Sequence, residues 1–282
     1  MSAGKVALRD HVIGQGHPLY VIAGPCVLED PEEMLQVAEQ LAEITEKLGV
    51  GFCFKSSFTK DNRTSTSSYR GPGIDEGLRL LDRIGDACGV PILTDIHHPE
   101  EADQVAEVAD ILQIPAFLCR QTSLLEAAGR TGRIVNIKKG QFLAAEDMAH
   151  AAGKVASTQP AGLADPQILL TERGSFFGYR DLTVDFRSIQ IMRNLGHPVV
   201  FDATHSVQSP GSTGTTTGGK PELIPLLARC GMAAGCDAVF LEVHPAPHRA
   251  KSDAGSQLPL ESFAPLVKQL IAFRNLHNEV TS

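Results

Sequence analysis

Short runs of Val, Ile, Leu and Phe alternate along the whole chain with longer stretches in which apolar residues recur every three or four positions. The short runs occupy residues 19–24, 50–55, 91–95, 110–114, 134–138, 168–171, 198–202 and 238–242. Their length and β-branched content predict eight strands, and the periodic stretches after them predict helices. The first helix has the plainest signature. Asp30 is placed to cap it and Pro31 suits its first position. Val37, Leu41, Ile44 and Leu48 form one apolar stripe, and Gly49 ends it. His98-Pro99-Glu100-Glu101 opens the third helix in the same way, and Phe263, Val267, Leu270 and Ile271 give the last helix its stripe.

Eight strand–helix units in 282 residues predict a single-domain (β/α)8 barrel. A doubly wound parallel sheet is the alternative, but no G-x-G-x-x-G string follows the first strand. Residues 5–13 predict a short N-terminal β-hairpin across the barrel bottom. Residues 209–219 (SPGSTGTTTGG) are the one low-complexity stretch and read as a connector or as an active-site lid.

Composition narrows the function classes. A net charge of −8 argues against nucleic acid, whose binding needs a basic face. No apolar run approaches the roughly 18–20 residues of a membrane span. The first ten residues lack the apolar segment of a signal peptide. Six cysteines without a C-x-x-C pair fit a reducing cytoplasm rather than a disulfide framework.

In this architecture chemistry is carried where strands end. Those positions hold Cys26, Lys55, Asp95, Gln113, Lys138, Glu172 with Arg173, Asp202 followed by His205, and Glu242, with Asp253 in the loop beyond. Closure makes strands seven, eight and one neighbours. Cys26, His205, Glu242 and Asp253 could therefore meet as a mixed sulfur, nitrogen and oxygen metal site. Taken singly, Cys26 reads as a small buried thiol and His205 as a hydrogen-bonded loop residue; four ligand types on adjacent strands favour the metal. Lys55, Lys60, Arg63, Arg120, Lys138 and Arg173 make a second, cationic group suited to phosphate or carboxylate. Lys139 and Lys154 read as solvated surface lysines, and Glu172 as a brace for Arg173.

Strings at these positions resemble 3-deoxy-D-manno-octulosonate 8-phosphate synthases. They are IAGPC (22–26), FKSSFTKDNRTS (54–65), TDIH (94–97), QIPAFLCRQT (113–122), NIKKGQF (136–142), LTERG (170–174), FDATHSVQ (201–208), EVHP (242–245) and AKSDA (250–254). The resemblance implies a (β/α)8 homotetramer that condenses phosphoenolpyruvate with D-arabinose 5-phosphate and releases phosphate. Cys26 and the Ser-Asp-Ala around Asp253 are similar to the metal-dependent branch, with Cys26, His205, Glu242 and Asp253 holding a divalent ion such as Zn, Fe or Mn. By the same resemblance Lys138 and Arg173 hold the phosphoenolpyruvate phosphate and Lys60 its carboxylate, with Gln113 and Ala116 lining the pocket. Asn62, Arg63 and Thr64 receive the pentose phosphate with Arg120 of a neighbouring subunit, and Lys55 and Asp95 give support. Lys138, Lys60, His205 and Asp253 are the groups expected at the reacting atoms. Asp61 departs from the family's usual Ala and puts a negative charge beside the anion site. The alternatives are a 3-deoxy-heptulosonate 7-phosphate synthase using erythrose 4-phosphate, a Schiff-base aldolase acting through Lys138, and a non-catalytic sugar-phosphate sensor.

Overall fold

The computed structural model describes residues 4–62, 68–163, 165–176, 181–210 and 218–281. In chain order it runs β1 (Lys5–Leu8), β2 (His11–Gly14), β3 (Tyr20–Gly24), α1 (Pro31–Leu48), β4 (Gly51–Lys55), α2 (Ile74–Cys88), β5 (Ile92–Asp95) and α3 (Ala102–Ala106). Next come β6 (Ile111–Ile114), α4 (Thr122–Arg130), β7 (Ile134–Lys138), α5 (Met148–Ala156), β8 (Ile168–Glu172), α6 (Arg187–Asn194) and β9 (Val199–Asp202). The chain ends with β10 (Gln208–Ser209), β11 (Gly218–Gly219), α7 (Ile224–Ala233), β12 (Ala238–His244), β13 (Leu258–Pro259) and α8 (Phe263–Thr281).

Strands β3 to β9 pair in sequence and in parallel, and β12 closes the circle against both β9 and β3. This is the (β/α)8 barrel that the alternating pattern predicts. The eight barrel strands fall within two residues of their expected bounds, because each is a short, fully buried apolar run. Helix α1 shows why the local signals were readable. The Asp30 carboxylate accepts the Glu32 and Glu33 N–H groups at 3.1 and 3.0 Å, and Gly49 ends the helix at φ 68°. The third helix begins with a 3₁₀ turn over Pro99–Glu101 before the short α3.

Strands β1 and β2 form the expected antiparallel hairpin. Its Val6, Leu8 and Ile13 pack against Tyr20, Ile22, Leu93, Ile134, Val200 and Phe240 and plug the barrel interior. A second, larger apolar layer lies between the strands and the helices. Arg274 of α8 is fully buried beside the hairpin. It donates to the Gly14, His17 and Cys236 carbonyls and pairs with Asp237 at 3.1 Å. Residues 209–219 are described only at their ends, where β10 pairs with β11; positions 211–217 lie outside the described residues. No described helix is long and apolar enough to cross a membrane.

Candidate active site

Because all eight barrel strands run parallel, the polar residues that end them gather at one mouth. A cavity of about 490 Å³ opens there, lined by Lys55, Lys60, Asp95, Gln113, Ala116, Lys138, Arg173, His205 and Asp253 among others. Asn62 lies on its edge. Arg63 and Thr64, expected at the pentose phosphate, lie outside the described residues. Arg120 is exposed on the loop after β6 and is not among the residues that line this cavity.

On one side of the mouth, ligand-type atoms of Cys26, Glu242 and Asp253 lie within 4.8 Å of one another. His205 Nε2 joins them at 3.6 Å from Glu242 and 3.8 Å from Asp253. Gly24 makes this approach possible: a Cβ there would stand 2.1 Å from the Lys55 carbonyl oxygen, so only glycine lets β3 lie this close to β4. Burial and the neighbouring Glu242 carboxylate push the Cys26 thiol well up. Burial also disfavours ionised Glu242, yet Lys55 at 2.7 Å, with His205 and other cations, holds it well below the usual range. Among the described residues, the buried Glu242 Oε2 has no hydrogen-bond partner. One thiol, one imidazole and two carboxylates converging around such an orphaned oxygen fit a borderline divalent metal.

The strands also supply a residue that sequence reasoning passed over. Asp202, noted only as the end of a strand, accepts from His205 Nδ1 at 2.7 Å and from Lys138 Nζ at 2.5 Å. It thereby fixes the imidazole with Nε2 toward Cys26, Glu242 and Asp253. Burial raises the cost of its charge, but His205 and Lys138 hold the carboxyl well below the ordinary range. The signal was present as an Asp three residues before the His in FDATH.

The cations gather beside this cluster, with Lys55 2.7 Å from Glu242 and Lys138 3.4 Å from His205 Nδ1. Lys138 stands over the Phe240 ring at 3.8 Å; burial and the nearby Lys55 charge lower its pKa, against the pull of Asp202. Arg173 is buried and donates from Nη2 to Gln208 at 2.8 Å, while its buried Nη1 has no partner among the described residues. A buried guanidinium nitrogen left unpaired is costly unless a ligand completes it. Glu172 braces this turn, accepting the Arg173 and Gly174 N–H groups at 3.1 and 2.7 Å. Lys60 would lose charge through burial, but Cys26, Asp95, Glu242 and Asp253 hold its pKa up. Asp95 receives Ser57 Oγ and faces His97 at 3.4 Å; although burial pushes its carboxyl up, Lys60 leads the charges that bring it well down. Gln113 accepts from Asn136, which in turn accepts from Thr171, so its amide is oriented across three strands.

One expectation changes. Lys139 is not a solvated surface lysine but 1% exposed, bonded to Ser175 Oγ at 2.8 Å and 3.6 Å from Glu172. Strand alternation sends it outward from the barrel, and there it meets the adjoining loop rather than water. Lys154, by contrast, is half-buried at the surface, donating to Thr122 Oγ1 and the Arg120 carbonyl. The extra charge of Asp61 is matched by Arg70, to which it is hydrogen bonded, with His98 at 3.5 Å.

The comparisons with known proteins agree with this geometry. The model of the DAHP synthetase I family matches residues 3–275. A protein of Syntrophotalea carbinolica named 2-dehydro-3-deoxyphosphooctonate aldolase is 54% identical over 268 residues, covering 95% of this chain and 94% of its own. Proteins of the same name from Desulfatibacillum aliphaticivorans and a Cyanothece species are 52% and 51% identical, covering 93% and 94% of this chain and 94% and 95% of theirs.

Proposed function

The chain belongs to the DAHP synthetase I family and, within it, to the 2-dehydro-3-deoxyphosphooctonate aldolases, and we propose that it condenses phosphoenolpyruvate with D-arabinose 5-phosphate and water. The products are 3-deoxy-D-manno-octulosonate 8-phosphate and inorganic phosphate. The observation that carries this reading is the meeting of two groups at one mouth. A Cys26, His205, Glu242 and Asp253 cluster adjoins Lys138 and an Arg173 guanidinium whose buried Nη1 has no partner among the described residues. Heptulosonate chemistry is less favoured, because the similar proteins carry the octonate name.

Cys26, His205, Glu242 and Asp253 would hold a divalent ion, which when bound supplies Lewis-acid polarisation or orientation of an oxygen ligand. The remaining work falls to the chain itself. Arg173 Nη1 and Lys138 Nζ are suited to the transferable phosphate, and Lys60 to the carboxylate beside it. Carbon three of the enolpyruvate forms the new bond to the aldehyde carbon, whose oxygen takes a proton. Water adds at carbon two, and phosphate leaves with the carbon–oxygen bonding pair. Asn62, Arg63 and Thr64 receive the pentose phosphate. In a homotetramer the exposed Arg120 could serve the mouth of a neighbouring subunit; the exposed Phe117 and Phe142 on adjacent loops are suited to such a contact.

The test is phosphate release from phosphoenolpyruvate with arabinose 5-phosphate or erythrose 4-phosphate, each with and without a chelator. Release with the pentose phosphate alone, lost on chelation and restored by a divalent ion, is expected. Equal turnover with the tetrose phosphate would overturn the acceptor assignment. Full activity in protein shown by elemental analysis to lack metal would overturn the metal.

A further inference from the structure

Glu29 lies three residues beyond Cys26, on the segment leading into α1. Its side chain is 6% exposed, and Oε1 accepts the Lys251 N–H at 2.9 Å while facing His244 Nε2 at 3.7 Å. His244 is two residues beyond Glu242 on β12, and Lys251 is two before Asp253. One carboxylate therefore links the segment carrying Cys26 to the end of β12, which carries Glu242, and to the loop that carries Asp253.

Glu29, Glu33 and His244 offer ligand atoms within 4.8 Å of one another, which by itself suggests a second cation. The imidazole argues otherwise. His244 Nδ1 accepts the Ala246 N–H at 3.0 Å, so the neutral ring carries its proton on Nε2, the atom aimed at Glu29. A metal at Nε2 would require that single ring proton to leave while Nδ1 stays an acceptor, which makes the ring an anionic imidazolate. The cluster is a brace held by the Lys251 N–H hydrogen bond, with His244 Nε2 in charge contact at 3.7 Å and without a hydrogen-bond partner among the described residues.

The loop has need of one. Asp253 sits at φ 48°, a left-handed conformation that costs a residue with a Cβ energy, though less for Asp than for most, and that local contacts help to hold. Within the loop, Ser256 donates its N–H to the Asp253 carbonyl at 2.9 Å and Gln257 donates to the Ser252 carbonyl at 2.7 Å. Across to Cys26, the links include Ser252 Oγ at 3.0 Å and Asp253 Oδ2 at 3.5 Å from the sulfur, and the Glu29 carboxylate.

We propose that Glu29 is a positioning residue that sets the 3.5 Å distance between the Cys26 sulfur and the Asp253 carboxylate by accepting the Lys251 N–H, with His244 packed alongside. The proposal rests on the ligand set given above, and its readout is metal binding rather than turnover. Cobalt(II) is titrated into metal-stripped wild type, Glu29→Ala and Glu29→Gln. Affinity is measured by chelator competition, and the Cys26 thiolate bond by its near-ultraviolet cobalt absorption. Glu29→Ala should weaken cobalt binding about 10- to 100-fold and shift the thiolate band. Glu29→Gln, whose amide oxygen still accepts the Lys251 N–H, should recover most of both. Should the Ala variant fail to fold, Glu29→Asp, one methylene too short to reach Lys251, takes its place. Unchanged affinity and spectrum in the short variants would overturn the brace. So would a second cobalt equivalent in the wild type that is lost on Glu29→Ala, since Glu29 would then be a ligand. A wild type without any thiolate band would instead overturn the metal reading on which the proposal stands.

Discussion

At the bottom of the barrel the hairpin residues Val6, Leu8 and Ile13 fill an interior of Tyr20, Ile22, Leu93 and Val200, with the buried Arg274 and Asp237 paired beside them. At the top the same strands end in Lys55, Lys60, Lys138 and Arg173 facing Asp95, Asp202, Glu242 and Asp253. Both ends bury charge, but they satisfy it differently. Arg274 is saturated by three carbonyls and a carboxylate. The mouth leaves Arg173 Nη1 and Glu242 Oε2 buried and unpaired among the described residues. Completed networks hold a fold together; incomplete ones await a ligand. The comparison separates residues kept for stability from residues kept for chemistry, and substitutions at the two ends should fail in different ways.

The largest expected effect is at the bottom. Arg274→Met keeps much of the volume but strands Asp237 and three carbonyls. It should lose about 3–5 kcal/mol of stability in denaturant unfolding while KM values stay near wild type. A change in KM with unchanged stability would abolish the distinction between the ends. Lys138→Ala, at the top, should lower kcat on the order of 10²–10³-fold with little movement of the melting temperature. A fall in Tm as large as that of Arg274→Met would place Lys138 among the structural residues.

Smaller effects sharpen the comparison. Arg63→Ala should raise KM for arabinose 5-phosphate by about tenfold or more, the loss of one charge-assisted contact, and leave that for phosphoenolpyruvate nearly unchanged. Equal increases for both substrates would remove Arg63 from the acceptor side. Ile13→Val deletes one methylene from the plug and should cost roughly 0.5–1.5 kcal/mol, read in the unfolding midpoint alone. Any accompanying loss of turnover would mean that the hairpin communicates with the mouth.

The barrel and its strand ends were legible because their signals are local. A run such as IVNIK is too short and too β-branched to be anything but a buried strand, and Asp30, Pro31 and Gly49 mark a helix without help from the rest of the chain. Once the barrel is inferred, the ends of its strands must meet, and Cys26, His205, Glu242 and Asp253 follow. Side-chain pairing was not legible. Lys138 and Lys139 are adjacent and identical in chemistry, yet one turns into the cavity toward Asp202 and the other outward into Ser175 and Glu172. Arg274 continues the α8 stripe of Val267, Leu270 and Ile271, but its partners come from residues 14, 17, 236 and 237. By itself the sequence determined the order of elements, the closed barrel and the roster of reactive residues at its mouth. Tertiary structure alone decided which of those charges neutralise one another and which stay open, as at Asp61 with Arg70 or Arg173, whose Nη1 has no partner among the described residues. The physical reason is range: strand and helix propensity act between near neighbours in the chain, whereas a charge takes its state from whatever folding brings within a few ångströms of it.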